Sequence, residues 1–199
     1  MFRILKCIML LTVLSVFACQ QQPKETPEIK PSAFENLLGE GYEIFYSDTL
    51  RFDQNDMVVA VLKRQNEDSL IWEAQAEVPR PLLILKKQNS GKYDIALRND
   101  KAILCGACGG VLGDPLDMIE VDGNSVTVSH FGGSRYRWTR HIRFEFMKDQ
   151  GSWFLSSDKG VSFDSLNPES EMEEIAYTEI DRAGPISFEA FDVTAYQGN

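Results

Sequence analysis

Tyr136-Arg137-Trp138-Thr139-Arg140-His141-Ile142-Arg143-Phe144-Glu145-Phe146-Met147 is the stretch that decides the fold. In an extended chain Tyr136, Trp138, Ile142, Phe144 and Phe146 point one way. Arg137, Thr139, His141, Arg143 and Glu145, with the preceding Arg135, point the other. Alternation with period two is the pattern of a half-buried strand, one face in a core and the other a cationic stripe. Arg140 interrupts the apolar face, as it would where the strand bends or reaches a sheet edge.

Outward from this stretch, further strand candidates are Tyr42 to Tyr46, Met57 to Lys63, Pro81 to Lys87, Tyr93 to Asn99, Met118 to Val121, Ser125 to His130 and Ser152 to Ser156. Turn chemistry separates them: Gln88-Asn89-Ser90-Gly91, Asp122-Gly123-Asn124, Gly132-Gly133-Ser134 and Asp149-Gln150-Gly151. Connections this short predict antiparallel neighbours. The expected fold is therefore mainly β: a single domain built as an antiparallel meander sheet or sandwich, with one or two short helices. One helix is expected from Ser32 to Leu38, with Ser32 as cap and Glu35 three residues on. A second is expected after Asn167-Pro168-Glu169, where Met172, Ile175 and Ala176 share a helical face. Ile186 to Phe191 reads as a last strand or an irregular C-terminal wrap.

At the other end of the chain, Arg3 and Lys6 precede the apolar run from Ile8 to Ala18, and Val16-Phe17-Ala18-Cys19 closes it. The order of charge, apolar run and small residue is that of a signal peptide. Eleven residues fall short of the roughly 20 that a spanning helix needs. Val16 to Cys19 resembles the lipobox of bacterial lipoproteins. That resemblance implies cleavage before Cys19, a diacylglyceryl group on its thiol and usually an acyl group on its new amino terminus. The protein is then expected in the cell envelope, anchored to a lipid bilayer, with the outer membrane favoured over the inner and the domain facing the periplasm or the surface. Several long chains on one residue would hold firmly, since each buried methylene contributes roughly 0.8 kcal/mol.

Three divisions follow: residues 1–18 as signal peptide, 19–31 as lipidated tether and 32–199 as globular domain. Gln20 to Pro31 carries three prolines, three glutamines, two lysines and two glutamates without apolar periodicity. Twelve mostly extended residues, at about 3.1 Å each, would hold the domain up to roughly 37 Å from the bilayer. Loss of the signal takes Arg3 and Lys6 away and moves the formal charge from -10 to -12. A surface this acidic excludes nucleic acid as a partner and excludes electrostatic adhesion to anionic head groups.

Two constellations remain for chemistry. Arg135, Arg137 and Arg143 form a possible anion-binding stripe, because planar guanidinium groups hold carboxylates and phosphates bidentately. The plainer reading is cross-strand pairing with Glu120 and Asp122. The second constellation is Cys105-Gly106-Ala107-Cys108-Gly109-Gly110. In an exported protein a disulfide between Cys105 and Cys108 is the first reading, contributing roughly 2 kcal/mol. Thiol–disulfide exchange is the second, although the glycines after Cys108 disfavour the helix that such chemistry uses. A zinc site that adds His130 and His141 is the third, without finger spacing to support it. No metal or other cofactor is expected. Nucleophile-elbow, phosphate-loop, His-Glu-x-x-His and dinucleotide motifs do not occur in the sequence.

Arg80-Pro81-Leu82-Leu83-Ile84-Leu85, Arg98-Asn99-Asp100, Cys108-Gly109-Gly110-Val111-Leu112-Gly113-Asp114-Pro115 and His130-Phe131-Gly132-Gly133-Ser134 with Trp138 together resemble a group of uncharacterised secreted bacterial proteins, over roughly residues 42 to 156. Some of that group begin with a segment similar to the calcium loop of FG-GAP or VCBS repeats, whose ends Asp48 and Asp56 would match. Leu50 and Phe52 stand where oxygen ligands are needed, and two carboxylates fall short of the six to eight oxygens calcium takes, so no calcium is expected. The functional expectation is a membrane-anchored lipoprotein that acts by non-catalytic binding or envelope interaction. The alternative is a cysteine-dependent zinc-binding or thiol–disulfide protein of the envelope.

Overall fold

Val58-Val59-Ala60-Val61-Leu62 and Leu82-Leu83-Ile84-Leu85 are apolar at every position, which suits strands covered on both faces. In the computed structural model, which describes residues 34–52, 55–74, 78–168, 172–178 and 184–195, they form the centres of β2 (Asn55–Arg64) and β3 (Arg80–Lys87). Every one of these side chains is buried. β1 (Tyr42–Phe52) and β4 (Tyr93–Ile103) flank them in a four-stranded antiparallel sheet of order β1-β2-β3-β4. A five-stranded sheet follows in the order β5 (Leu116–Asp122), β6 (Ser125–Gly133), β7 (Tyr136–Met147), β8 (Ser152–Asp164) and β9 (Met172–Ala176). Each strand pairs antiparallel with the next, so the domain is mainly β, with two successive meanders.

The principal core lies where the two sheets face each other. Leu50, Val59, Val61, Leu82 and Ile84 of the first sheet meet Val126, Val128, Ile142, Phe144 and Leu155 of the second. The outer face of the first sheet has its own cover: Phe34 and Leu38, on either side of a 3-10 turn at Glu35–Leu37, bury Val58, Ala60 and Leu83. Phe34 meets the Tyr93 ring edge-on at 5.5 Å.

Several sequence expectations are corrected. The expected helix from Ser32 is the short 3-10 turn, and Ser32 itself lies outside the described residues. The expected second helix is strand β9, because Lys159 to Phe163 at the end of β8 pairs with Met172 to Ala176. Strand β8 runs to Asp164, well past Ser156. An α-helix, α1 (Glu67–Ala74), joins β2 to β3 where no element was expected. Residues 184–195 form a wrap with a single bridge between Ser187 and Phe154. They place Ile186, Phe188, Phe191 and Val193 in the main core, where Phe188 and Phe191 meet Phe144 edge-on at 5.0 and 5.4 Å.

The interruption at Arg140 is neither a bend nor an edge. β7 is the central strand of its sheet, and Arg140 points into the interior.

Candidate functional site

The cationic stripe lies on the outer face of the second sheet, as the alternation of β7 requires. Its three arginines meet different surroundings. Arg135, in the β6–β7 turn, donates from Nε and Nη2 to Asp164 at 2.9 and 2.6 Å. Those bonds, with one from the Leu166 N–H, hold the Asp164 carboxyl below the usual carboxylate range. Arg143 donates to Glu145 at 2.7 Å on its own strand. The partners of Arg135 and Arg143 are thus Asp164 and Glu145, in place of the expected Glu120 and Asp122. Arg137 differs: its Nε is buried without a hydrogen-bond partner. The guanidinium lies 5.8 Å from the centre of the Phe131 ring, on a strand position flanked in register by Gly133 and Phe163. Arg137 and Arg143 stand six residues apart, about 20 Å along a strand, so a small anion reaches only one of them.

On the inner face of the same strand, Arg140 forms a buried pair with Asp158. Its Nε and Nη2 each donate at 2.8 Å to one carboxylate oxygen, and Nη1 donates to the Val193 carbonyl at 2.8 Å. The Thr178 hydroxyl donates to Asp158 Oδ2 at 2.6 Å, and the Tyr177 ring centre lies 4.5 Å from the guanidinium. Such saturation is what a buried charge pair needs to persist. It ties β7, β8, the segment after β9 and the C-terminal wrap together.

The cysteine loop joins the two sheets. Cys105 and Cys108 Sγ lie 2.14 Å apart, at disulfide distance. Around them Arg80, itself buried, donates from Nε to Glu67 Oε1 at 2.9 Å and from Nη1 and Nη2 to Asp114 at 3.0 and 2.8 Å. Glu67 Oε1 also accepts the Gly106 N–H at 3.2 Å. Gly132 has no side chain because a Cβ there would stand 2.4 Å from the Trp138 ring, and the neighbouring Gly133 N–H donates to the Gly109 carbonyl at 2.9 Å. Arg80, the Cys105–Asp114 loop and the Gly132-Gly133 turn therefore interlock at one end of the sandwich.

His130 belongs to this junction. Its Nε2 accepts the Leu104 N–H at 3.3 Å, which assigns the proton of the neutral ring to Nδ1, a buried atom without a partner. Burial, then the charges of Arg140, Arg80 and His141, push its pKa down to about 3. His141 is on the opposite face, its Nδ1 2.9 Å from Ser129 Oγ. The four candidate metal ligands weighed from the sequence, Cys105, Cys108, His130 and His141, thus do not converge. Among the described residues no group of three His, Cys, Asp or Glu side chains is placed to hold a metal ion.

Asp48 and Asp56 sit on separate strands of the β1–β2 hairpin, with Leu50 buried in the core between the sheets. Asp48 is used locally, its Oδ1 accepting the Thr49 N–H at 2.6 Å. Cys19, with the signal and tether, lies outside the described residues. No protein-family model matches this chain, and no curated protein or solved structure does either.

The sequence singled out Arg135, Arg137 and Arg143 but missed the Glu67–Arg80–Asp114 and Arg140–Asp158 networks. A charged residue on the apolar side of β7 was the available signal for the second.

Proposed function

We propose that this protein is a lipid-anchored envelope protein, held by acylated Cys19, whose domain binds an anionic ligand on the outer face of the second sheet. The carrying observation is Arg137: a guanidinium with a buried, unpartnered Nε beside an aromatic ring, on a face where Arg135 and Arg143 are already neutralised. The side chain is only half-buried and takes part in none of the ion pairs among the described residues, so its guanidinium is left to a charged acceptor from outside. Phe131 and Phe163 beside it suit the flat apolar side of a sugar ring, so an acidic glycan is the ligand class.

Uronic-acid and sulfated oligosaccharides, titrated against the protein at several salt concentrations, test this reading. Saturable binding that weakens with salt is expected. Arg137→Met lowers affinity about tenfold or more, the value of one charge-assisted hydrogen bond. Arg143→Met changes it by less than about threefold. Binding that is absent, or equal in Arg137→Met and the wild type, contradicts the proposal.

A further inference from the structure

At the end of the sandwich opposite the cysteine loop, the two sheets do not close on each other. A cleft of about 330 Å³ opens there, which falls in the range of small-molecule sites. Met57 and Leu97 form its wall on the first sheet, and Phe146 and Trp153, edge-on to each other at 6.0 Å, form its wall on the second. The gap has a local cause. The register of β3 against β4 shifts between Ile84 and Leu85, so that Ala96 is an extra residue in the edge strand. A bulge of this kind bends the strand that carries it and increases its twist. Small side chains at the rim, Ala96 on one sheet and Gly151 and Ser152 on the other, leave the space unfilled.

One cation lines this cleft, Lys86. It takes part in none of the ion pairs among the described residues, whereas its neighbour Lys87 pairs with Asp56. Asp94 is opposite Lys86 in register, but its Oδ2 accepts a hydrogen bond from the Gln88 amide. An apolar interior with one ammonium group at its edge matches a ligand with an apolar chain and a single anionic head. We infer that this cleft binds an aliphatic monocarboxylate, with the chain between Met57, Leu97, Phe146 and Trp153 and the carboxylate at Lys86.

The site is separate from Arg137, so either proposal can fail alone. The test is calorimetric titration of the full chain carrying Cys19→Ser, which removes the anchor's own acyl groups, with undecanoate and with undecanol. The leader is common to every variant compared. Undecanoate is expected to bind saturably at one site and about tenfold more tightly than undecanol. Lys86→Met, which keeps the apolar stem, abolishes that preference and leaves undecanol binding as it was. Ala96→Phe fills an exposed rim position and weakens both ligands about tenfold or more. Undecanoate binding that is absent, or unaffected by Ala96→Phe in a variant with wild-type thermal stability, overturns the inference. So does an acid preference that survives Lys86→Met.

Discussion

Arg140 and His130 show how much polar chemistry this interior holds at single positions. The Arg140–Asp158 pair is saturated with hydrogen bonds, so removing one partner strands the other charge in the core. Asp158→Ala is expected to cost about 3–5 kcal/mol in urea denaturation, and the double variant Arg140→Met/Asp158→Ala distinctly less than that. A double variant as unstable as Asp158→Ala would contradict the pairing. His130 gives a pH dependence of definite sign. Its folded pKa of about 3 is below the ordinary 6.5, so the unfolded chain binds the extra proton between those values. The stability that its neutral burial contributes is present above about pH 6.5 and lost as pH falls toward 3, with a slope of at most about 1.4 kcal/mol per pH unit. His130→Gln keeps an acceptor for the Leu104 N–H but does not titrate. Its stability is expected to vary less between roughly pH 4.5 and 6.5 than that of the wild type. An unchanged slope would show that His130 is protonated when folded. The sequence exposed Arg140 as an anomaly but hid its partner, because Asp158-Lys159-Gly160 carries turn residues and becomes strand only by pairing with β7 and β9. It also grouped Arg137 with Arg135 and Arg143, since their difference depends on cross-strand neighbours that no local pattern records.

Elements that declare themselves locally were legible, and those defined by a partner were not. β7 was readable residue by residue, because one half-buried strand carries its own period. β9 was misread because Met172 and Ile175 fit a helical face as well as a strand, and only the unpaired end of β8 decides between them. The same long-range pairing explains Gly160. A Cβ built there would stand 1.9 Å from the Thr139 carbonyl oxygen, which brings β7 and β8 unusually close beside the buried Arg140. Gly160→Ala is expected to destabilise the domain by about 3 kcal/mol or more, since the neighbour is backbone and cannot swing aside. Gly151→Ala, where a Cβ meets nothing within 4 Å, is the control, although its positive φ of 63° adds a smaller strain of its own. Chemical denaturation of both variants checks the contrast. Equal losses would mean that the close approach of the two strands is not what glycine provides at 160.

At the scale of the molecule, the mainly-β class and the meander connections followed from strand alternation and short turns. One sheet and a sandwich of two both remained open, because the cysteine loop that separates the sheets holds its place through its own Asp114 and through Arg80 and Glu67 from earlier parts of the chain. The junction and the networks around Arg140 make one end of the sandwich polar inside. The cleft at Lys86 is at the other end, and the Arg137 face is outside. These are the two surfaces on which the proposed ligands would bind. The proposed anchoring, which would give these surfaces their place in an envelope, rests on Cys19. The intact mass of the protein extracted from bacterial membranes tests it most directly. The expected result is a chain that begins at Cys19, has 181 of the 199 residues and carries added acyl mass. A chain that retains residues 1–18, or one that begins at Cys19 without acyl groups, would contradict it.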